Sequence, residues 1–210
     1  MSPSIPSLAA LARKKLPIGI QTFREVREDN CYYVDKTGMA VNLVQTGKAY
    51  FLSRPRRFGK SLFLDTLKEL FEGNQALFAG LAAEPVWDWS QKYPVIRISF
   101  SDGVLQSRAE LDQRIKSILR VNRDALGCPL PQGLPQDDIA GNFSDLIRQA
   151  HQASGQRAVV LIDEYDKPIL DNIDNRPIAI EMREGLKNLY SVLKGSDEHL
   201  KFVFLTGVSK

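Results

Sequence analysis

The stretch Tyr50 to Leu64, YFLSRPRRFGKSLFL, joins an apolar run to a basic loop that ends in Gly59-Lys60-Ser61 and continues at helical apolar spacing. A strand that stops, a loop whose amides converge and a helix that presents its positive end together make a site for phosphate. In that reading Lys60 reaches the terminal phosphates of a nucleotide and Ser61 its magnesium ion. Arg54, Pro55, Arg56, Arg57, Phe58, Gly59, Lys60, Ser61 and Leu62 form the binding set. One position departs from the GxxxxGK[ST] pattern, because Arg54 stands where the first glycine would be. The three arginines fit a solvated turn, but their place inside the loop favours bidentate pairing with phosphate oxygens.

A GKS triplet alone is unspecific, and a second stretch supplies its context. Val159-Val160-Leu161-Ile162 runs without alternation into Asp163-Glu164, about a hundred residues later. Such a run marks a strand covered on both faces, hence a parallel sheet, and a carboxylate at its C-terminal end points into the crevice where α/β sheets bind ligands. Asp163 is then a magnesium ligand and Glu164 the general base for water. The plain alternative makes Asp163 a helix cap and Glu164 a surface charge. Thr206 and Ser209 follow the last apolar run, where a polar residue can sense a terminal phosphate. A simple Thr-Gly turn fits Thr206 as well.

The elements that must position these residues follow from periodicity. Cys31–Val34 reads as a short strand, and Asp35 as the cap of a helix that carries Met39, Leu43 and Val44. Ala49–Ser53 is the first core strand. Lys60–Phe71 is a helix with Phe63, Leu67, Leu70 and Phe71 on one face. Val95–Phe100 is a second strand, and Ser107 with Glu110 boxes the start of the next helix. Gly127–Asp138 is a Pro- and Gly-bearing loop before a helix near Ser144–Ala153. Arg157–Ile162 and Phe202–Leu205 are further strands, separated by a helix that Pro177 opens and Gly195 closes. Strands alternating with helices predict an α/β fold with a mostly parallel sheet covered on both faces. Residues 1–15 are expected to form a mobile arm and residues 16–210 one domain.

Composition narrows the class. Of 210 residues, 43% are apolar and 25% charged, enough for one core, and a net charge of +3 is too small to indicate a dedicated nucleic-acid protein. Cys31 and Cys128 have no CxxC or histidine partner, which fits reduced thiols in the cytoplasm. No run approaches the roughly 20 apolar residues of a membrane span. His151 and His199 lack ligand spacing, and Trp87 and Trp89 read as loop anchors.

Taken together, YYVDKT (Tyr32 to Thr37), FLSRPRRFGKS (Phe51 to Ser61), the strand with DEYDKP (Ile162 to Pro168) and LTGVSK (Leu205 to Lys210) resemble the AAA-ATPase-like family of bacterial P-loop proteins. The resemblance covers residues from about Leu16 onward. In that family an arginine at the position of Arg54 is the rule. The resemblance implies a P-loop NTPase three-layer sandwich with a RecA/AAA-like sheet, binding ATP and Mg2+, with hydrolysis in the complete protein. It also implies continuation beyond LTGVSK, often into a PD-(D/E)xK nuclease-like region, whose hallmark is absent here. A chain ending after the fourth core strand is expected to leave Ala49–Ser53 at an open edge and to self-associate. The partners expected of the complete protein are ATP and a nucleic acid or protein. Two alternatives stand beside hydrolysis: a nucleotide-binding switch without significant turnover, and a nuclease accessory that holds backbone phosphate with the arginine loop.

Overall fold

Four apolar runs form the strands β1 (Ala49–Ser53), β2 (Val95–Ser99), β3 (Ala158–Asp163) and β4 (Leu200–Gly207). They are all parallel and ordered β1-β4-β3-β2. Helices α1 (Phe23–Glu28) and α2 (Thr37–Thr46) precede β1, and the crossovers that parallel neighbours need carry α3 (Lys60–Phe71), α4 (Arg108–Leu126), α5 (Ile139–Ser154), α6 (Lys167–Leu170) and α7 (Arg176–Gly195). The computed structural model describes residues 13–130 and 133–209. Residues 1–12 of the expected arm, residues 131–132 of the expected loop, and Lys210 lie outside the described residues.

Strand alternation divides the core in two. Val159, Leu161, Phe202 and Phe204 pack with Phe63, Leu64, Leu67 and Phe71 of α3. Val160, Ile162 and Ile98 face the other way, onto Leu111 and Ile115 of α4, Phe143 and Leu146 of α5, and Met182 and Leu186 of α7. The result is a three-layer sandwich with β3 wholly buried at its centre. Each large side chain buried in this way contributes about 1.5–3 kcal/mol. Trp87 stacks edge-on against Phe71, and Trp89 lies against Phe78, so both tryptophans anchor the connection before β2.

The back of α3 is held by a buried polar network. Asp65, 3% exposed, accepts the first amide of α1, Phe23 N–H, at 2.7 Å and the Arg97 guanidinium of β2 at 3.0 Å. One turn on, Glu69 accepts from Arg24 (2.9 Å), Lys68 (3.0 Å) and Asn74 (2.6 Å). Asp65 therefore caps a helix more than forty residues away and pins α3 to the sheet. Asp65→Ala would leave a buried amide and a cation unpaired. It is expected to lower stability by about 3 kcal/mol, read as a drop in the urea midpoint at unchanged slope.

The two edges of the sheet differ. On β2 the outward Arg97 backbone is closed by the Asn122 amide of α4, which accepts Arg97 N–H and donates to Arg97 C=O, each at 2.8 Å. On β1, Arg54 N–H donates to Gly207 and Lys48 C=O accepts from Val203, so the even-numbered residues face β4. Ala49, Phe51 and Ser53 then point their backbone groups outward. Among the described residues β1 pairs with β4 alone, and Phe51 is 46% exposed.

Some expectations change. The strand expected over Cys31–Val34 reduces to a single bridge from Cys31 to Lys15. Side chains fix this segment instead, Tyr33 against Phe23 and Thr66, and Asp35 through Thr37 and Ala82 N–H. The expected second strand stops at Ser99, one residue before Phe100. The helix expected near Ser144 begins at Ile139, because Asp138 caps it through Gly141 N–H. The last strand runs from Leu200 to Gly207 rather than Phe202 to Leu205, carried further by pairing with β1 and β3. His151 and His199, unrelated by spacing, meet with their Nδ1 atoms 3.0 Å apart.

Candidate functional site

The edge strand β1 delivers the chain to the arginine loop, where Arg54 N–H donates to Gly207 C=O at 3.2 Å. Residues 54–59 are all exposed, Phe58 by 63%. Arg57 (φ +67°) and Gly59 (φ +72°) take left-handed backbone conformations, and a Cβ built on Gly59 meets nothing within 4 Å. Glycine is therefore needed at position 59 for its torsion and not for space. Lys60 begins α3, and its ammonium turns back to donate to the carbonyls of Arg54 (2.9 Å) and Pro55 (3.0 Å), leaving the residue 6% exposed. The loop is thus wound around its own lysine.

The N-terminus of α3 has no side-chain cap and no acidic residue in its first turn. Phe63 N–H, bonded to Gly59 C=O, is the first intrahelical donor, so the amides of Lys60, Ser61 and Leu62 face outward from the helix end. Ser61 and Leu62 are half-buried. A twelve-residue helix with free amides and a positive end suits an anion.

At the end of β3, Asp163 is 2% exposed and its Oδ1 accepts the Thr206 hydroxyl at 2.5 Å. Thr206, read either as a phosphate sensor or as part of a plain turn, is fully buried beneath this carboxylate, and its oxygen also receives Glu164 N–H at 3.4 Å. Glu164 has φ +52°, an uncommon conformation for a residue with a side chain. Burial, reinforced by the neighbouring Asp163 charge, pushes its carboxyl above the usual range, and Lys167, Lys60 and Arg56 oppose that shift. Cationic loop and acidic turn therefore share one space at the C-terminal end of the sheet.

Sequence reasoning missed Tyr165 and Gly207, which join these parts, and read Asp166 with Lys167 equally as a solvated pair or as part of the site. Tyr165 N–H donates to Thr206 C=O at 3.0 Å, and its ring meets Phe51 edge-on. A Cβ on Gly207 would fall 2.5 Å from the Tyr165 ring, so glycine permits this approach. Asp166 is 2% exposed and binds Val208 and Ser209, including the Ser209 hydroxyl. The only sequence signal was a second aspartate in an acidic turn, with nothing to show a partner more than forty residues on.

Among the described residues no three His, Cys, Asp or Glu side chains converge as a metal cage. Magnesium keeps several waters and takes one or two protein oxygens plus phosphate, a demand that a carboxylate such as Asp163 and a hydroxyl such as Ser61 would meet in chemical type. Two crevices, of about 420 Å3 along α4 and α5 and about 570 Å3 beside α1 and the end of α3, lie away from the loop. The loop itself is an exposed rim, open to a ligand from solvent.

An all-parallel sheet covered on both faces, with a glycine-lysine loop between a strand and a helix, is the P-loop, RecA-like architecture. The chain belongs to the AAA-ATPase-like family, described as predicted AAA-ATPases, whose family model matches residues 17–210. It is 57% identical over 201 residues to an uncharacterized protein in the vnfD 5' region of Azotobacter chroococcum mcd 1. That match takes in 95% of this chain and 38% of the relative, so the chain spans well under half of the curated relative's length. No solved structure matches it.

Proposed function

We propose that this chain is an ATP-binding domain whose complete protein hydrolyses ATP with magnesium. The reading rests on one observation above all: the Lys60 ammonium, held by the loop carbonyls of Arg54 and Pro55 at the head of an uncapped helix. Lys60 and the amides of α3 bind the phosphates. Arg54, Arg56 and Arg57 add guanidinium contacts from the exposed rim, and Pro55 and Phe58 shape it. Ser61 and Asp163 hold the magnesium ion, which when bound neutralises phosphate charge. Thr206 orients Asp163, and Glu164 takes a proton from water. Calorimetric titration of MgATP into the chain and its Lys60→Ala variant tests the assignment, and equal affinities would sink it.

The exposure of all three loop arginines favours one other reading, a grip on nucleic-acid backbone phosphate. DNA affinity untouched by saturating ATP would place the two ligands on separate surfaces. The two free, buried cysteines support a reducing, cytoplasmic setting. No described helix is long and apolar enough to cross a membrane. Among the described residues β1 pairs with β4 alone, which supports self-association through Phe51 and its neighbours. Light scattering should report dimers or larger species for this chain and a shift toward monomer for Phe51→Lys, whereas a monodisperse wild-type monomer excludes that partner.

A further inference from the structure

Asp166 lies three residues beyond Asp163, is 2% exposed, and spends its carboxylate on backbone. Its Oδ2 accepts Ser209 N–H at 2.6 Å, Val208 N–H at 3.0 Å and the Ser209 hydroxyl at 2.5 Å. The turn from Gly207 to Ser209 thus wraps an anion supplied by the protein itself. The other side of the same turn holds the start of the arginine loop. Gly207 C=O accepts Arg54 N–H at 3.2 Å, and Val208 C=O accepts the Ser53 hydroxyl at 2.9 Å. One buried carboxylate therefore fixes a turn that spans from the acidic end of β3 to the first residue of the loop.

This arrangement separates two parts of a bound nucleotide, given the ATP reading on which the inference rests. On that reading the loop, Lys60 and the helix amides, none of which hydrogen-bonds Asp166, hold the phosphates from the α3 side. On the same reading the terminal phosphate lies toward Asp163 and Glu164, and the turn follows directly on Thr206, which accepts Glu164 N–H on its hydroxyl and Tyr165 N–H on its carbonyl. We infer that Asp166 is a positioning residue that fixes the Gly207–Ser209 turn against the terminal phosphate and so sets the preference for a triphosphate over a diphosphate. In Asp166→Asn one oxygen becomes an amide nitrogen, which ends the Oδ1 bond from Val208 N–H, and loss of the charge weakens the bonds that remain to Val208 and Ser209.

The test is calorimetric titration of MgATP and MgADP into the wild type, Asp166→Asn and Ser209→Ala. The wild type should prefer ATP. In Asp166→Asn, ATP affinity should fall about tenfold while ADP affinity stays within about twofold, and Ser209→Ala, which keeps both amide bonds, should lose about two- to threefold for ATP only. A purely structural role would weaken both nucleotides alike, and that result, or an unchanged ATP-to-ADP ratio, overturns the inference. So does a wild type that binds both nucleotides without preference. If circular dichroism shows Asp166→Asn unfolded, Ser209→Ala decides, and its ratio matching the wild type is the overturning result. A wild type that binds neither nucleotide instead overturns the ATP reading itself, and this inference with it.

Discussion

Replacing Lys60 by alanine should weaken MgATP binding about a hundredfold while leaving the fold in place. The ammonium is the one loop cation already buried and aimed, through bonds to Arg54 and Pro55 carbonyls that keep it pointing across the loop. A charged donor to phosphate contributes about 1.5–3 kcal/mol, and two such bonds amount to about two decades of affinity or more. The fold should be spared because Arg54 and Pro55 are exposed, so water can take over their carbonyls. Alanine is also the best helix former at the first position of α3. A melting temperature within a few degrees of wild type, together with lost binding, would isolate the ligand contact. Arginine should not restore affinity, since a planar fork cannot replace a compact ammonium wound inside the loop. Loss of ATP binding confined to Arg54→Ala, with Lys60→Ala unaffected, would move the site to the rim.

What the sequence revealed about this fold was what local physics decides. β1 and α3 have the expected limits because strand alternation gives way to helical spacing at a glycine, and both signals lie within a dozen residues. β3 was legible because a run of apolar residues with no alternation has one comfortable place, the middle of a parallel sheet. The six-residue α1 and four-residue α6 were not legible, since neither is long enough to be stable alone. Asp65 makes α1 from outside by capping it across the core.

The same division runs through the candidate site. Lys60, Asp163 and Glu164 could be named from types and neighbours. The hydroxyl of Thr206, read equally as a phosphate sensor or as part of a plain Thr-Gly turn, lies under Asp163, because the register of β4 on β3 decides its direction. Asp166, Tyr165 and Gly207 could not be found by spacing, since their meaning lies in contacts between DEYDKP and the turn after β4. The arginine at position 54 is explained in the same way. Its amide is held by Gly207 and its side chain stays at the surface, so a glycine torsion is not required there, and the left-handed positions fall at 57 and 59 instead.

Glu164→Gln should abolish turnover while sparing affinity, provided that Glu164 is the base that activates water. A left-handed torsion at a residue with a side chain costs on the order of 1 kcal/mol and persists only where the surroundings impose it. Here Thr206 imposes it from both sides, taking Glu164 N–H on its hydroxyl and Tyr165 N–H on its carbonyl, which turns the chain sharply after Asp163. The strain places a carboxylate, raised in pKa by burial and by Asp163, where Lys60 and Arg56 also exert their fields. Only the ionised carboxylate can accept a proton, so the rate should rise with pH through a value above the ordinary one for glutamate. That acid limb should vanish in the glutamine variant. Loss of a positioned base lowers kcat by about 10²–10⁴-fold, whereas ATP affinity should stay within a few-fold, because glutamine keeps the size and removes a charge that repels phosphate. Steady-state phosphate release from pH 4.5 to 8, with affinity measured in parallel, separates the outcomes. A wild-type rate that is negligible and unchanged by the substitution removes hydrolysis from this chain and leaves a domain that holds ATP as a switch. A normal rate in the variant assigns water activation to another group and leaves the strained glutamate without a chemical role.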